Sequence, residues 1–580
     1  FEKEKGFMYP FLLPLKVAPK PWELGNNFGS FYTTQMSCRY PLVKTKGKAH
    51  KDFVKAAQPK EHIKALNRLQ RTAWKINTDV LAIQKIVYEK GLRIGMPSNE
   101  QIVPPEFPEH LKEIDKENLT DDNKDEIGDW KALAKRAYGM EQQRKGKVLA
   151  FMQSYKLANE LSSWDRLFFA YNCDFRGRIY CATAGLSPQG ADTAKGLLHF
   201  HRRVPLGTDG VRWLAIHGAN TYGEDKCSFQ DRVAWINNNR DNIRSVADDP
   251  IGARAFWGAA DKPYQFLAFC LEWSKCNYGR DESYESNLPV GMDGSCNGLQ
   301  HYSAMLRDAI GASSTNLTRT TTPNDIYGDV ANVVTSKLRQ IQDDPRATKW
   351  LAVGINRKCA KRPVMTLPYG ATQQSARQYI LEYVQDNWDK FELPDKHQWE
   401  FAKFLTPILW EAIGEVVVAA REAMSWLQRN SKSGYIYWLT PLGFPVYQYY
   451  KKCKSIEVNT QLNGRVVLSL KDADQDGEPN RFAQRLGIAP NFVHSIDSTH
   501  MVMSINRIDL PAYAMIHDDF GTHAGNAQAL GVALREAFRQ LYTNQNPLQD
   551  WADQLGIEEA LPEMGTYDIE DIIKAEYFFA

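Results

Sequence analysis

An apolar run, Tyr513 to Ile516, is followed after two adjacent carboxylates by a second short run, Phe520 to His523. The two runs predict a pair of strands with His517, Asp518 and Asp519 at the hairpin tip. A third apolar run, Leu288 to Met292, predicts a strand that ends in Asp293-Gly294 and passes into a helix. Helical spacing begins at Pro59, and Arg71 to Ile83 puts Ala73, Ile76, Val80 and Ile83 on one helix face. Leu111 to Asp129 is too highly charged to bury and reads as a surface loop, after which Trp130 to Leu161 resumes a helix. Pro407 to Leu427 is aliphatic nearly all round, the pattern of a core helix. Tyr435 to Leu470 is β-rich, and Asn463-Gly464 inside it is a two-residue hairpin signal. The fold class these elements define is α+β.

Composition narrows the picture only a little. The 580 residues are 43% hydrophobic, enough for several packed subdomains. Lys and Arg total 71 against 69 Asp and Glu, a net charge of +2, which neither supports nor excludes a nucleic-acid partner because a basic surface can be local to a cleft. Nine cysteines without C-x-x-C pairs favour free thiols in a reducing compartment. No apolar run approaches membrane-spanning length and no signal peptide is visible; the chain opens on Phe1, so a natural N-terminus is expected to be missing. Asp472 to Gly477 imitates the start of an EF-hand loop, but its twelfth position is Ala483 and not Glu, so it reads as a surface turn.

The chemistry concentrates at the strand ends. A carboxylate at a hairpin tip is rigidly held and open, which suits Mg²⁺, an ion that prefers one or two carboxylates plus waters and phosphates. Asp293, with Gly294 beside it, is the second carboxylate expected to face Asp518 across a metal pair. In Ile355 to Gly370, the residues Arg357, Lys361 and Met365 recur every four positions and form one stripe, cationic then apolar, able to clasp a triphosphate and lie against a base; alone, it reads as an ordinary amphipathic surface helix. Pro368 should end that helix just before Tyr369-Gly370. Tyr171 to Tyr180 interleaves aromatics with Arg176 and Arg178 around Gly177, where forked donors suit phosphate and the small residue permits close approach of a backbone; alone, it reads as a strand and turn with surface arginines. Arg144, Lys145 and Lys147 group on one helix, as a helix gripping a nucleic-acid backbone would require, or simply as a solvated face.

Taken in order, these motifs resemble the single-subunit, bacteriophage-type DNA-directed RNA polymerases, the family that includes the mitochondrial enzyme, from about Arg71 to Ala580. The resemblance implies a right-handed polymerase cup: a remnant of an N-terminal domain at 1–72, a helical thumb at 73–165, the palm with its antiparallel sheet at 166–308 and 495–580, and helical fingers at 309–494. Within the fingers, 435–471 is similar to the promoter-reading hairpin, with Glu457 and Val467 where basic readers often sit, and the palm ends in a C-terminal foot. By the same resemblance Asp293 and Asp518 hold two Mg²⁺ ions. Arg357, Lys361, Arg362 and Lys226 bind the incoming triphosphate, Lys361 protonates the pyrophosphate, Met365 and Tyr369 sit against the new base pair, and His494 contacts the ribose 2′-hydroxyl. Asp174, Arg176, Gly177, Arg178 and Lys195 hold template and hybrid.

The implied partners are DNA template, RNA product and nucleoside triphosphates, with no membrane, in the cytoplasm of an infected bacterial host and, as second choice, the mitochondrial matrix. Asp519 stands where the family usually carries Ser, adding a negative charge beside the metal site as a supporting group or weak ligand. No intercalating hairpin or AT-rich recognition loop is apparent before Arg71. The polypeptide is therefore expected to copy single-stranded or pre-melted DNA and to need a further segment, second subunit or single-strand-binding factor on closed duplex. Two alternatives stand beside this one. A related DNA polymerase would carry an acidic gate after its first catalytic Asp, where Gly294 to Gly298 is small and open, and a Glu after its second; a catalytically inactive nucleic-acid scaffold would not keep Asp293, Lys361, Tyr369 and Asp518 together.

Overall fold

The computed structural model describes residues 12–580 apart from 26–28, 46, 113–119, 394–396, 432–433, 461–465, 473–476 and 544. It is a mixed helical and sheet protein, 56% helical. After two short helices, Thr34–Arg39 and Lys48–Ala57, helix α1 (Lys60–Gln70) follows Pro59 as its spacing requires. Beyond it the helix expected from Arg71 to Ile83 divides. Trp74–Ile76 forms a strand, β1, paired antiparallel with Leu198–Phe200, and α2 (Thr78–Glu89) starts only after Asn77, whose side chain accepts from the Val80 amide. A Trp-Lys-Ile triplet favours a pleated strand, and an Asn cap resets the helix start. Val80 and Ile83 stay buried as the helical spacing demands.

The charged stretch before Trp130 also differs from expectation. The long helix α3 (Asp121–Leu161) begins nine residues earlier, capped by Thr120, and its 41 residues make a rod of about 60 Å at about 1.5 Å per residue. Two of its grouped cations are engaged within the protein: Arg144 is bidentate to Glu141, at 2.7 and 2.8 Å, and donates to the Ser98 carbonyl, and Lys145 stands 3.6 Å from Glu141. The aliphatic run at 407–427 belongs to two helices, Gln398–Val416 and Val418–Arg429, separated at Val417 by a non-helical ψ of 58°.

The element that positions the site is a three-stranded antiparallel sheet. Its strands are β4 (Pro289–Asp293), β5 (Ala514–Ile516) and β6 (Asp519–His523), with β6 in the middle; β2 (Tyr171–Cys173) and β3 (Ile179–Cys181) form a separate hairpin. The register pairs Asp519 with Asp293, Phe520 with Met292 and Gly521 with Gly291. With a side-chain period of two, Val290, Met292, Met515 and Phe520 share the buried apolar face, whereas Gly291, Asp293, Asp519 and Gly521 share the other. Two helices, α6 (Arg481–Arg507) and α7 (Ala524–Thr543), complete the core around that apolar face. The C-terminal residues fold back onto the sheet: Gly294 bridges Phe579, the Ala580 amide donates to the Asp293 carbonyl at 3.1 Å, and the Phe579 ring lies 5.0 Å from that of Phe520.

The β-rich region contains two hairpins, Ile436–Leu439 with Pro445–Gln448 and Lys454–Thr460 with Val466–Asp472. In the second, Thr460 with Val466 is the last pair among the described residues. Asn463-Gly464 and most of the EF-hand-like turn lie outside the described residues.

Candidate active site

The hairpin tip is tighter than its sequence suggests. Asp519 is already in strand β6, which leaves His517 and Asp518 as a two-residue loop, and Asp518 takes the left-handed φ of +75° that the reversal requires. Such a backbone is strained for a residue with a side chain, and strain of this kind is held in place only by surrounding contacts. They are present. The Gly294 amide donates to the Asp518 carbonyl at 2.8 Å, Asn297 Nδ2 donates to Asp518 Oδ1 at 2.5 Å, and Arg178 Nη2 stands 4.0 Å from the same oxygen.

Behind Asp518 lies a buried layer that sequence reasoning did not find. Arg178 is bidentate to Asp497 Oδ2, at 2.9 and 2.6 Å, Asn297 also donates to Asp497 Oδ1, and the His517 ring is 3.3 Å from Asp497 Oδ2. The usable signal was Asp497 itself, a carboxylate in the interior of the helix that carries His494.

Asp293 and Asp518 line one pocket of about 400 Å³. The helix α5 (Arg357–Thr366) lines the same pocket with Arg357, Lys361 and Met365, followed by Tyr369, so the stripe and the two carboxylates share one cavity. Asn356 caps α5, and a short 3-10 turn, Leu367–Tyr369, ends at Gly370 with φ +83°. Pro368 thus stops the α-helix where expected. Lys226, Gly294 and Ala580 complete the rim. Gly298, in helix α4 (Asn297–Met305), is not an open position: a Cβ there would lie 2.8 Å from Pro368, so this glycine lets the 3-10 turn pack under the site.

Most of the expected cations are paired with protein groups. Arg357 donates to Asp325 at 2.9 Å and lies 5.0 Å over the Tyr327 ring, and Lys226 donates to Asp225 at 2.9 Å. Arg362 turns away from the pocket, to Glu382 and the Tyr379 ring, because one residue beyond Lys361 is rotated about 100° around the helix. Lys195 is 3.0 Å from Asp519 and lines a different cavity. Asp174 organises its own turn, accepting from the Arg176 and Arg178 amides and from the Arg176 guanidinium. The room at Gly177 (φ +96°) is filled by His62, Phe444 and Ser498, so the close approach expected there is made by the protein's own core.

His494 stands behind the pocket wall, its ring 4.6 Å from that of Tyr369. Burial, with Arg178 and Arg176 adding to it, lowers its pKa to about 2 and keeps it neutral. Arg176 Nη1 is 2.7 Å from Nδ1 and can only donate, so the ring proton belongs on Nε2.

The carboxylates are electrostatically crowded. Asp518 is pushed up to about 7, first by burial and then by Asp497, with Arg178 and Asn297 opposing. Asp293, although open to the pocket, is enclosed by cleft walls; that desolvation and the facing Asp519 raise it to about 6. Asp519 moves the other way: burial would raise it, but Lys195 and Lys262 hold it below the usual carboxylate range. Two crowded carboxylates on an open pocket are a donor set that a divalent cation would relieve, and no group of three or more His, Cys, Asp or Glu residues forms a closed cage among the described residues.

Two carboxylates at the end of an antiparallel sheet, faced by a cationic helix, are the arrangement of a nucleotidyltransferase. Comparison with known proteins gives the same answer. The family described as DNA-dependent RNA polymerase matches residues 204–559. The T7 RNA polymerase of Escherichia phage T7 is 33% identical over an alignment covering 98% of this chain and 70% of that protein. The DNA-directed RNA polymerase of Enterobacteria phage T3 is 34% identical, with the same coverage. The mitochondrial DNA-directed RNA polymerase 1 of Arabidopsis thaliana is 31% identical over 98% of this chain and 58% of its own length. This chain belongs to the single-subunit DNA-directed RNA polymerase family. The likeness reaches further toward the N-terminus than the motifs after Arg71 indicated.

Proposed function

We propose that this chain extends RNA by template-directed addition of ribonucleoside triphosphates in the pocket between β4, β6 and α5. The observation that carries the reading is the convergence of Asp293 and Asp518 with Arg357, Lys361, Met365 and Tyr369 on one pocket. The fold is read as a polymerase cup, with thumb at 73–165, palm at 166–308 and 495–580, fingers at 309–494 and N-terminal remnant at 1–72. Its partners are a DNA template, the RNA product and nucleoside triphosphates. No described helix is long and apolar enough to cross a membrane, and the phage relatives favour the cytoplasm of an infected bacterium.

Asp293 and Asp518, with the Gly294 backbone beside them, would hold two Mg²⁺ ions, which when bound supply the charge that activates the RNA 3′-hydroxyl and neutralises the leaving pyrophosphate. The chain's own groups do the rest. Arg178 and Asn297 fix the Asp518 carboxylate. Arg357 and Lys361 exchange protein contacts and solvent for the triphosphate, and the Lys361 ammonium, in the pocket shared with both carboxylates, donates its proton to pyrophosphate. Tyr369 supports the nascent base pair. His494, neutral with its proton on Nε2, is a donor for the ribose 2′-hydroxyl.

The test is incorporation of labelled ribonucleotides on a primed template by the wild-type chain and by Asp518→Asn. Template-dependent extension lost in the variant supports the reading; undiminished extension by the variant overturns it.

A further inference from the structure

Asp519 is the carboxylate that the two-metal arrangement does not use. It sits directly opposite Asp293 in the sheet register, on the same face, where two like charges repel. Its side chain nevertheless leaves the substrate pocket. Oδ2 is 3.0 Å from Lys195 Nζ, and Oδ1 lies over Gly291, where a Cβ would come within 2.7 Å of it. Asp519, Lys195, Gly291 and His217 line a second, small cavity of about 50 Å³ that contains neither Asp293 nor Asp518. The third carboxylate therefore has a seat of its own: a glycine that makes room and a lysine that fills its charge.

We propose that Asp519 and Lys195 are a positioning pair for Asp293, each keeping the other out of the metal pocket. This rests on the reading of Asp293 and Asp518 as the metal-holding pair. Lys195 keeps Asp519 over Gly291, so the pocket does not gain a third carboxylate. Asp519 keeps the ammonium anchored, so it does not cap Asp293 in place of a cation.

The two halves of the pair have opposite consequences. In Asp519→Asn the ammonium loses its partner, and Asp293, the register neighbour, is the carboxylate left for it; divalent cations must then compete with it. In Lys195→Met the Asp519 charge loses its hydrogen-bonded cation, keeps only the longer-range attraction of Lys262, and adds more of its negative potential to Asp293. A bridge that served only to hold the fold would weaken cation binding in both variants by loosening the sheet.

The experiment is Mn²⁺ binding to the metal-free protein without template or nucleotide, followed by electron paramagnetic resonance, with folding checked by circular dichroism. Relative to wild type, Asp519→Asn should bind about fivefold more weakly and Lys195→Met about fivefold more tightly, the effect of one unit charge acting at about 4 Å under strong screening. The double variant should return close to wild type, and Lys195→Arg, which keeps the pair, should stay there. Same-direction shifts in the two single variants, or no shift in either while Asp518→Asn loses binding, overturn the proposal. Mn²⁺ binding that Asp518→Asn leaves intact overturns the metal-site reading, and this inference with it.

Discussion

Replacing Asp518 by Asn should abolish nucleotide addition and at the same time make the metal-free protein more stable. The carboxylate is raised from 3.8 to about 7, first by burial and then by Asp497. At about 1.36 kcal/mol per pH unit, that displacement amounts to about 4 kcal/mol. The side chain is 34% exposed, and solvent screening brings the figure to about 2 kcal/mol. The sign follows from the direction: the folded protein holds the Asp518 proton more tightly than the unfolded chain does. Ionisation therefore opposes folding above the raised value, the penalty shrinks as pH falls from about 7 toward 3.8, and it vanishes below both. Asn removes the penalty, keeps an oxygen for the Asn297 amide, and tolerates the positive φ at least as well as Asp.

In metal-free buffer at pH 8 the variant should melt about 2 °C higher, taking about 2.1 cal/mol/K per residue as the unfolding entropy. The difference should close at pH 4. Mg²⁺ should raise the melting point of wild type and leave that of the variant nearly unmoved. The assay is differential scanning fluorimetry across pH, with and without Mg²⁺. A variant less stable than wild type at pH 8, or equally shifted at pH 4, would refute the electrostatic account of the site.

Other expectations are as direct. Arg357→Ala should raise the nucleotide KM about tenfold or more, the loss of one charge-assisted phosphate contact, whereas Arg362→Ala, whose side chain is turned to Glu382, should change it less than about twofold; steady-state kinetics separates the two, and equal effects would put Arg362 in the pocket. Tyr369 lies 4.6 Å from the ring of His494, the proposed donor to the ribose 2′-hydroxyl, so Tyr369→Phe, which removes the neighbouring hydroxyl, should narrow the preference for ribonucleotides by about tenfold, read from paired incorporation rates; an unchanged ratio would show that the Tyr369 hydroxyl takes no part in sugar choice. Gly177→Ala should cost about 1–3 kcal/mol of stability, because φ is +96° and His62, Phe444 and Ser498 already occupy the space. A urea midpoint equal to that of wild type would contradict it.

What the sequence made legible follows the range of each signal. The strand ending at Asp293, the hairpin carrying Asp518 and the stripe on α5 are local patterns of period 2 or 3.6, and the structure has all three. Trp74–Ile76 failed because apolar residues three apart fit a helix until one knows that Leu198–Phe200 lies alongside. The start of α3 was missed for the opposite reason: a charged surface helix has no apolar periodicity to read. Pairings across the chain left no local trace. Arg178 with Asp497, Asn297 with Asp518 and Lys195 with Asp519 join residues 319, 221 and 324 positions apart. From the motifs alone Arg178 and Lys195 are nucleic-acid contacts; the structure adds that each is also engaged by a carboxylate of the chain.

The sheet that assembles the site also sets an order of events during synthesis. Strand β4 pairs with β6 alone, and its partner is made more than two hundred residues later. At about 5–20 residues per second the ribosome needs roughly 10–45 s to deliver it. Throughout that interval β4 is an unpaired strand with Val290 and Met292 awaiting burial. Its brevity, the proline at its start, the glycine at its centre and the acid at its end are features that discourage pairing with another chain. The carboxylate proposed to hold metal in the finished protein thus also guards the nascent chain, and a substitution of Asp293 should be felt in the yield of folded protein.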